Sequence, residues 1–304
     1  MVAPLELSGN GRMAIDLTGR LLCACSQAYS ILTSGPAPMP QPRAGYVGWA
    51  ETPTAFASGI DKIDAVLVGE TPNEIIVAFR GTLPFDSPNK RQMILDWLDD
   101  LDAPLIADPG LPGLVHQGFS MAVNILWPQV QPLVAAALAV SPQRPVYITG
   151  HSKGGAVAFL AGWLAKQAFP TAAIHVCTFA AARTGDQAFA SAYSAVLPQT
   201  ARYEYGDDIV PHLPPDLAFA HMFADTPFLA GKLAQMDNTY VSAGDLFFIN
   251  WTGQIVQDTG NPVLRFERFM HLATLIAEFK FAQIAGDHSI DLGSGYATAI
   301  CPGY

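Results

Sequence analysis

The sequence predicts an α/β protein with a central, mostly parallel sheet flanked by helices. Three observations carry that prediction. Strand-like and helix-like runs alternate along most of the chain. The apolar, β-branched run Pro145-Val146-Tyr147-Ile148-Thr149 passes through Gly150-His151-Ser152-Lys153-Gly154-Gly155 straight into a helix-like run, Ala156 to Ala165. Half of the 304 residues are hydrophobic and only 14% are charged, against about 25% in an average globular chain, which implies a large core.

Taken in order, a helix is expected over 14–33, followed by β-runs near 45–50, 54–60, 62–69 and 74–80. In the segment 83–98, Met93, Ile94, Trp97 and Leu98 recur at helical spacing, with Arg91, Asp96 and Asp99 polar; one apolar face results. A helix near 118–138 follows. It is uncharged, but Asn124, Pro128, Pro132 and several Gln interrupt it, which favours a surface or core helix over a membrane span. Strand 145–149 leads to helix 153–168, and strands 172–179 and 201–205 continue the sheet. The apolar stretch 217–238 reads equally as core and as a wall or flap of a pocket. A hairpin near 239–257, turning at Trp251-Thr252-Gly253, precedes a helix over 263–283 that holds His271. His288 lies on the loop after it. No linker separates motif-bearing halves, so residues 1–304 read as a single domain.

Strand, G-x-S-x-G, then helix is the nucleophile elbow of α/β-hydrolases. The turn is too tight for a Cβ at either glycine. It lifts the Ser152 hydroxyl into the open at a helix N-terminus, where unpaired N–H groups favour a developing anion. A Ser hydroxyl also needs a base and a carboxylate to orient that base. In this architecture they follow in the order Ser, Asp or Glu, His. After the strand 201–205 comes Gly206-Asp207-Asp208-Ile209-Val210-Pro211-His212, and either aspartate sits where ligands bind, past a strand's carboxyl end. Of the downstream histidines His175, His212, His221, His271 and His288, His212 is too near in sequence and His271 sits in a helical run. His288 is favoured as the base.

Five segments in order then resemble the class 3 lipases, the fungal-lipase-like branch of the α/β-hydrolases. They are Ile75-Ile76-Val77-Ala78-Phe79-Arg80-Gly81-Thr82, Asp96-Trp97-Leu98-Asp99-Asp100-Leu101, Val115-His116-Gln117-Gly118-Phe119, the elbow, and Asp208-Ile209-Val210-Pro211-His212-Leu213-Pro214-Pro215. Asp287-His288-Ser289 resembles a further motif near the family's C-terminus. The resemblance implies Ser152 as nucleophile, Asp208 rather than Asp207 as acid, His288 as base, and the Thr82 and Lys153 N–H groups as oxyanion hole. The segment of about 83–98, with its apolar face of Met93, Ile94, Trp97 and Leu98, reads either as a lid, which its place beside Thr82 favours, or as an ordinary surface helix packed on the core. The family usually has an apolar residue where this chain has Lys153. The activity implied is that of a triacylglycerol lipase or esterase on neutral lipid esters. The alternatives are a phospholipase or galactolipase, an esterase for aryl or polymeric esters, and a silent hydrolase fold used for binding.

No metal or organic cofactor is expected, since the chain has no Cys/His cluster with zinc spacing. The net charge of −10 argues against nucleic acid and anionic head groups as partners; an ester or lipid interface is expected instead, with no integral membrane segment. The N-terminus carries Glu6 and Asp16 and no long apolar run, so no signal peptide is visible. That reading leaves a cytoplasmic protein or one exported by a route the sequence does not display. Cys23 and Cys25 point to different sides of the first helix and do not pair with each other. Fungal members often tie this helix to the C-terminal tail, which would pair Cys23 or Cys25 with Cys301. Free buried thiols are the favoured reading.

Overall fold

Along β5 (Ile75–Phe79), every residue is apolar and buried, as a strand covered on both faces demands. Ile75, Val77 and Phe79 face one core, and Ile76 and Ala78 face the other, because successive side chains of a strand point to opposite faces. The computed structural model describes residues 15–36, 43–83, 89–226, 229–291, 293 and 295–301. Residues 84–88 of the expected lid, Phe228 of the apolar stretch and the N-terminal residues up to Ala14 lie outside the described residues.

The chain begins with α1 (Leu17–Ala28), capped by Asp16, whose carboxylate accepts the Gly19 N–H at 2.8 Å. The expected helix 14–33 thus stops earlier, and a small hairpin of β1 (Ile31–Leu32) and β2 (Gly35–Pro36) takes over its last turn. The β-run expected near 45–50 is instead a short helix, α2 (Arg43–Val47). It ends at Gly48, whose φ of 75° suits glycine, and the Trp49 indole N–H then donates to Gln27 Oε1 at 2.7 Å. That bond holds the segment on α1 and away from the sheet edge. β3 (Thr54–Ser58), β4 (Asp64–Glu70) and β5 follow as expected.

Next come α3 (Lys90–Asp100), a hairpin of β6 (Leu105–Ala107) and β7 (Leu114–His116), and α4 (Gln117–Val140). α4 is long and apolar enough to cross a membrane, yet Phe119, Val123, Leu126, Val130 and Val134 pack into the main core. β8 (Val146–His151) turns into α5 (Lys153–Ala168), and β9 (Ile174–Phe179), α6 (Gln187–Val196) and β10 (Ala201–Tyr205) continue. The short helices α7 (Leu217–Met222) and α8 (Ala230–Leu233) occupy the apolar stretch. Phe219, Phe223, Leu229, Leu233 and Met236 are all buried in the main core, so these side chains are core. The hairpin β11 (Asp245–Ile249) and β12 (Ile255–Asp258) forms as expected. The single helix expected over 263–283 is two, α9 (Pro262–Ala277) and α10 (Phe281–Asp287), with α11 (Gly295–Ile300) behind them.

Among the described residues the main sheet has eight strands in the order β12-β11-β10-β9-β8-β5-β4-β3. From β5 to β11 its neighbours run parallel, and antiparallel strands close both edges. Cys23, Cys25, Cys177 and Cys301 are all buried thiols, and among the described residues no disulfide joins them. Cys301 approaches α1 through a contact of its Sγ with the Gly19 carbonyl at 3.6 Å.

Candidate active site

Two glycines make the turn after β8 possible. A Cβ on Gly150 would lie 2.1 Å from the Gly154 carbonyl oxygen, and one on Gly154 would lie 2.3 Å from that of Phe79. Both distances are far inside van der Waals contact. Between them Ser152 adopts φ 58° and ψ −131°, a left-handed backbone that a non-glycine residue holds at a cost of about 1–3 kcal/mol. The surroundings impose it: the Ser152 N–H donates to the Phe179 carbonyl at 3.0 Å, and the Ser152 carbonyl accepts the Gly155 N–H at 2.9 Å. Ser152 is therefore the N-cap of α5, where the helix dipole favours negative charge.

His288 caps the end of α10. Its Nδ1 lies 3.0 Å from both carboxylate oxygens of Asp208. Asp208 follows β10 and is held by the Val210 N–H at 3.0 Å and the Tyr296 hydroxyl at 2.7 Å. The carboxylate is thus surrounded by donors, which keeps it an acceptor and keeps the proton of the pair on His288 Nδ1. The loop beyond it is clamped by Arg183, which donates to the His212 carbonyl at 2.7 Å and the Pro214 carbonyl at 3.0 Å. His212 itself turns away and stacks on Phe219.

The neighbouring aspartate does something different. Asp207 faces His271, whose Nδ1 lies 2.9 Å from both its oxygens, and it accepts from the Trp251 indole at 3.1 Å. Two adjacent aspartates thus each hold a histidine. What separates them is access: Ser152 and His288 line the same cavity of about 640 Å³, and His271 does not line it. Among the described residues no hydrogen bond joins Ser152 Oγ to His288. Such bonds are often long before substrate arrives.

His151 supports His288 from behind. One ring nitrogen, Nε2, lies 2.8 Å from the His288 carbonyl, and the other, Nδ1, lies 2.7 Å from the Tyr29 hydroxyl. Burial and the nearby His288 push His151 well below the usual imidazole range, so it carries one proton. A carbonyl can only accept; that proton is on Nε2, and Tyr29 donates to Nδ1. Sequence reasoning did not single out His151, Tyr29 or Tyr296. The first sits inside the elbow motif and was readable there. The two tyrosines come from the first and last helical regions and carry no local signal.

Thr82 follows β5, is half-buried, and shares two cavities with Ser152. Lys153 is the first residue of α5 and lines the second of these, about 560 Å³ in volume. Its ammonium pairs with Asp64 at 2.6 Å. Of the apolar face of α3, Met93 and Trp97 line the 640 Å³ cavity, and the Trp97 and His288 rings lie 4.7 Å apart. Ile94 and Leu98 are packed into the core instead.

Residues 76–218 match the family described as lipase (class 3). The secreted mono- and diacylglycerol lipase 1 of Fusarium solani is 33% identical over 144 residues, covering 47% of this chain and 40% of that protein. A lipase of Rhizomucor miehei is 32% identical over 164 residues, covering 51% and 41%. The chain therefore spans about two fifths of the length of these relatives. The fold extends further. A solved Rhizomucor miehei triacylglyceride lipase has a TM-score of 0.60 at 21% identity, covering 79% of this chain and 82% of that one. A triacylglycerol lipase from Penicillium expansum has a TM-score of 0.55 at 18% identity, covering 80% and 84%. These likenesses show the α/β-hydrolase fold.

Proposed function

We propose, from the match of residues 76–218 to the class 3 lipase family, that the chain is a serine carboxylester hydrolase acting on acylglycerol esters. One observation carries the reading: the buried Asp208–His288 pair opens on the cavity that Ser152 lines. In the reaction, His288 Nε2 takes the proton of Ser152 Oγ as that oxygen attacks the ester carbonyl. Asp208 holds the opposite N–H and stabilises the imidazolium. The N–H groups of Thr82 and Lys153 receive the oxyanion. His288 then protonates the departing alcohol, and water releases the acid by the same steps in reverse roles.

Substrate supply follows from the apolar surroundings. Met93 and Trp97 of α3 cover the histidine side of the cavity, so α3 is the lid whose movement admits a lipid. Exposed Ile60, Ile63, Met121 and Ile125 rim the other cavity, an apolar collar suited to a lipid surface. The name of the Fusarium relative supports action outside the cell.

The test is labelling with a fluorophosphonate and turnover of a p-nitrophenyl ester. Ser152→Ala should abolish labelling and lower kcat about 10,000-fold or more. Asp208→Asn should be crippling and Asp207→Asn mild, because only the first leaves His288 unoriented. Undiminished turnover in Ser152→Ala would end the reading; the reverse order of the two aspartates would reassign the acid to Asp207 and the base to His271.

A further inference from the structure

The two cavities meet at Ser152, Thr82, Leu83 and Trp97 but differ in chemistry. His288 lines only the larger one. Since this histidine must protonate the leaving alcohol, the alcohol half of the ester lies on that side, and the acyl half enters the 560 Å³ cavity. That cavity is apolar at its rim and ionic within. Asp64 is buried, and Lys153 keeps 19% of its side chain exposed while bonded to Asp64. Arg80 also lines the cavity, but its guanidinium is committed to the carbonyls of Ile31, Lys62 and Ile63. An ammonium has three N–H donors, and Asp64 takes one of those of Lys153. Asp100, on the same cavity, adds a second carboxyl beside the ammonium.

A plain alkyl chain laid over this pair would strip water from it and return nothing, a cost paid for every desolvated ion. A hydroxyl on the chain accepts from the Lys153 ammonium and donates to a carboxylate, so it replaces the lost water. The geometry points to an acyl site selective for hydroxyl-bearing acyl chains, with Lys153 and Asp64 as the residues that read the hydroxyl. This rests on the ester-hydrolase reading above and deepens it: ester and water give a hydroxy acid and an alcohol by the same steps.

The experiment compares kcat/KM for p-nitrophenyl octanoate and its hydroxyl-substituted octanoates. The wild-type protein should favour a hydroxylated ester about tenfold or more, as sites built to bond a substrate hydroxyl do. Lys153→Met should erase or invert that ratio, and Lys153→Gln, which restores an N–H donor, should recover part of it. Equal ratios in all three proteins overturn the proposal. If Ser152→Ala still turns over these esters, the hydrolase reading fails instead, so the two failures are distinct. A hydroxyacyl glyceride emulsion and a poly(hydroxyacid) film, each against a plain triglyceride, separate lipid from polyester as the source of the chain. Preference for either supports the site; preference for the plain triglyceride over both overturns it.

Discussion

Burial raises the Asp287 carboxyl to about 7, with the charges of Asp207 and Asp208 pushing the same way. It accepts the Asp207 N–H at 2.8 Å, so it holds the turn between the two aspartates. A carboxyl raised above its ordinary value of 3.8 binds its proton more tightly folded than unfolded. Its contribution to stability is therefore full below pH 4 or so and is lost as pH rises through about 7. Asp287→Asn keeps the acceptor and removes the titration. Relative to wild type, the variant should gain stability between pH 5 and pH 8, read from urea midpoints; parallel pH curves would show that Asp287 is ionised throughout. The same turn marks the limit of local reading. Adjacent side chains leave a turn in opposite directions, so nothing in Gly206-Asp207-Asp208 says which aspartate meets which histidine. The family resemblance favoured Asp208, and the pairings that distinguish the two come from residues 80 and 64 positions away.

The lid question belongs to α3. Ile94 and Leu98 are 1% and 0% exposed, and uncovering each costs about 1.5–3 kcal/mol. The ion pair from Asp99 to Lys232 joins α3 to α8, but its side chains are 52% and 41% exposed, so it adds no more than about 1 kcal/mol. Apolar burial therefore holds α3 down, and a lipid surface offsets most of that cost. The rate on tributyrin should climb steeply at its solubility limit, with a parallel change in Trp97 fluorescence. A smooth saturating curve would mean that α3 stays put. Ile94→Ser and Leu98→Ser would lower Tm, so Met93 and Trp97 are the informative positions. Elements also show where sequence reading stops. α6 had its signal in Asp186, whose carboxylate caps the Phe189 N–H at 2.8 Å. The break between α9 and α10 had none: Phe279 takes φ 57°, and the N–H groups of Phe279 and Lys280 bond the carbonyls of Ile276 and Leu275. That is the left-handed helix end that glycine ordinarily marks, here built on a phenylalanine.

Across the whole molecule, the sheet was legible because buried parallel strands favour apolar runs: β5 is apolar throughout, and β8 and β9 are interrupted only by Thr149, Gly150, His151, His175 and Thr178. The proposed site was legible wherever its residue sits inside a motif, as Thr82, Ser152, Asp208 and His288 do. Its supports were not, since Tyr29 reaches His151 across 122 positions and Tyr296 reaches Asp208 across 88. Those spans have a kinetic meaning. Closing a loop of more than 100 residues costs about 4 kcal/mol in chain entropy, and non-local contacts slow folding. The helices can form early from neighbouring residues. His288 becomes aimed only when α1, β8, β10, α10 and α11 have all docked. After dilution from urea, far-UV circular dichroism should recover before fluorophosphonate labelling does, and a labelling-competent species lacking native tryptophan fluorescence would contradict this order. On the proposed roles, a half-folded chain then has Ser152 but no aimed His288, and stays inert until the last long-range contact closes.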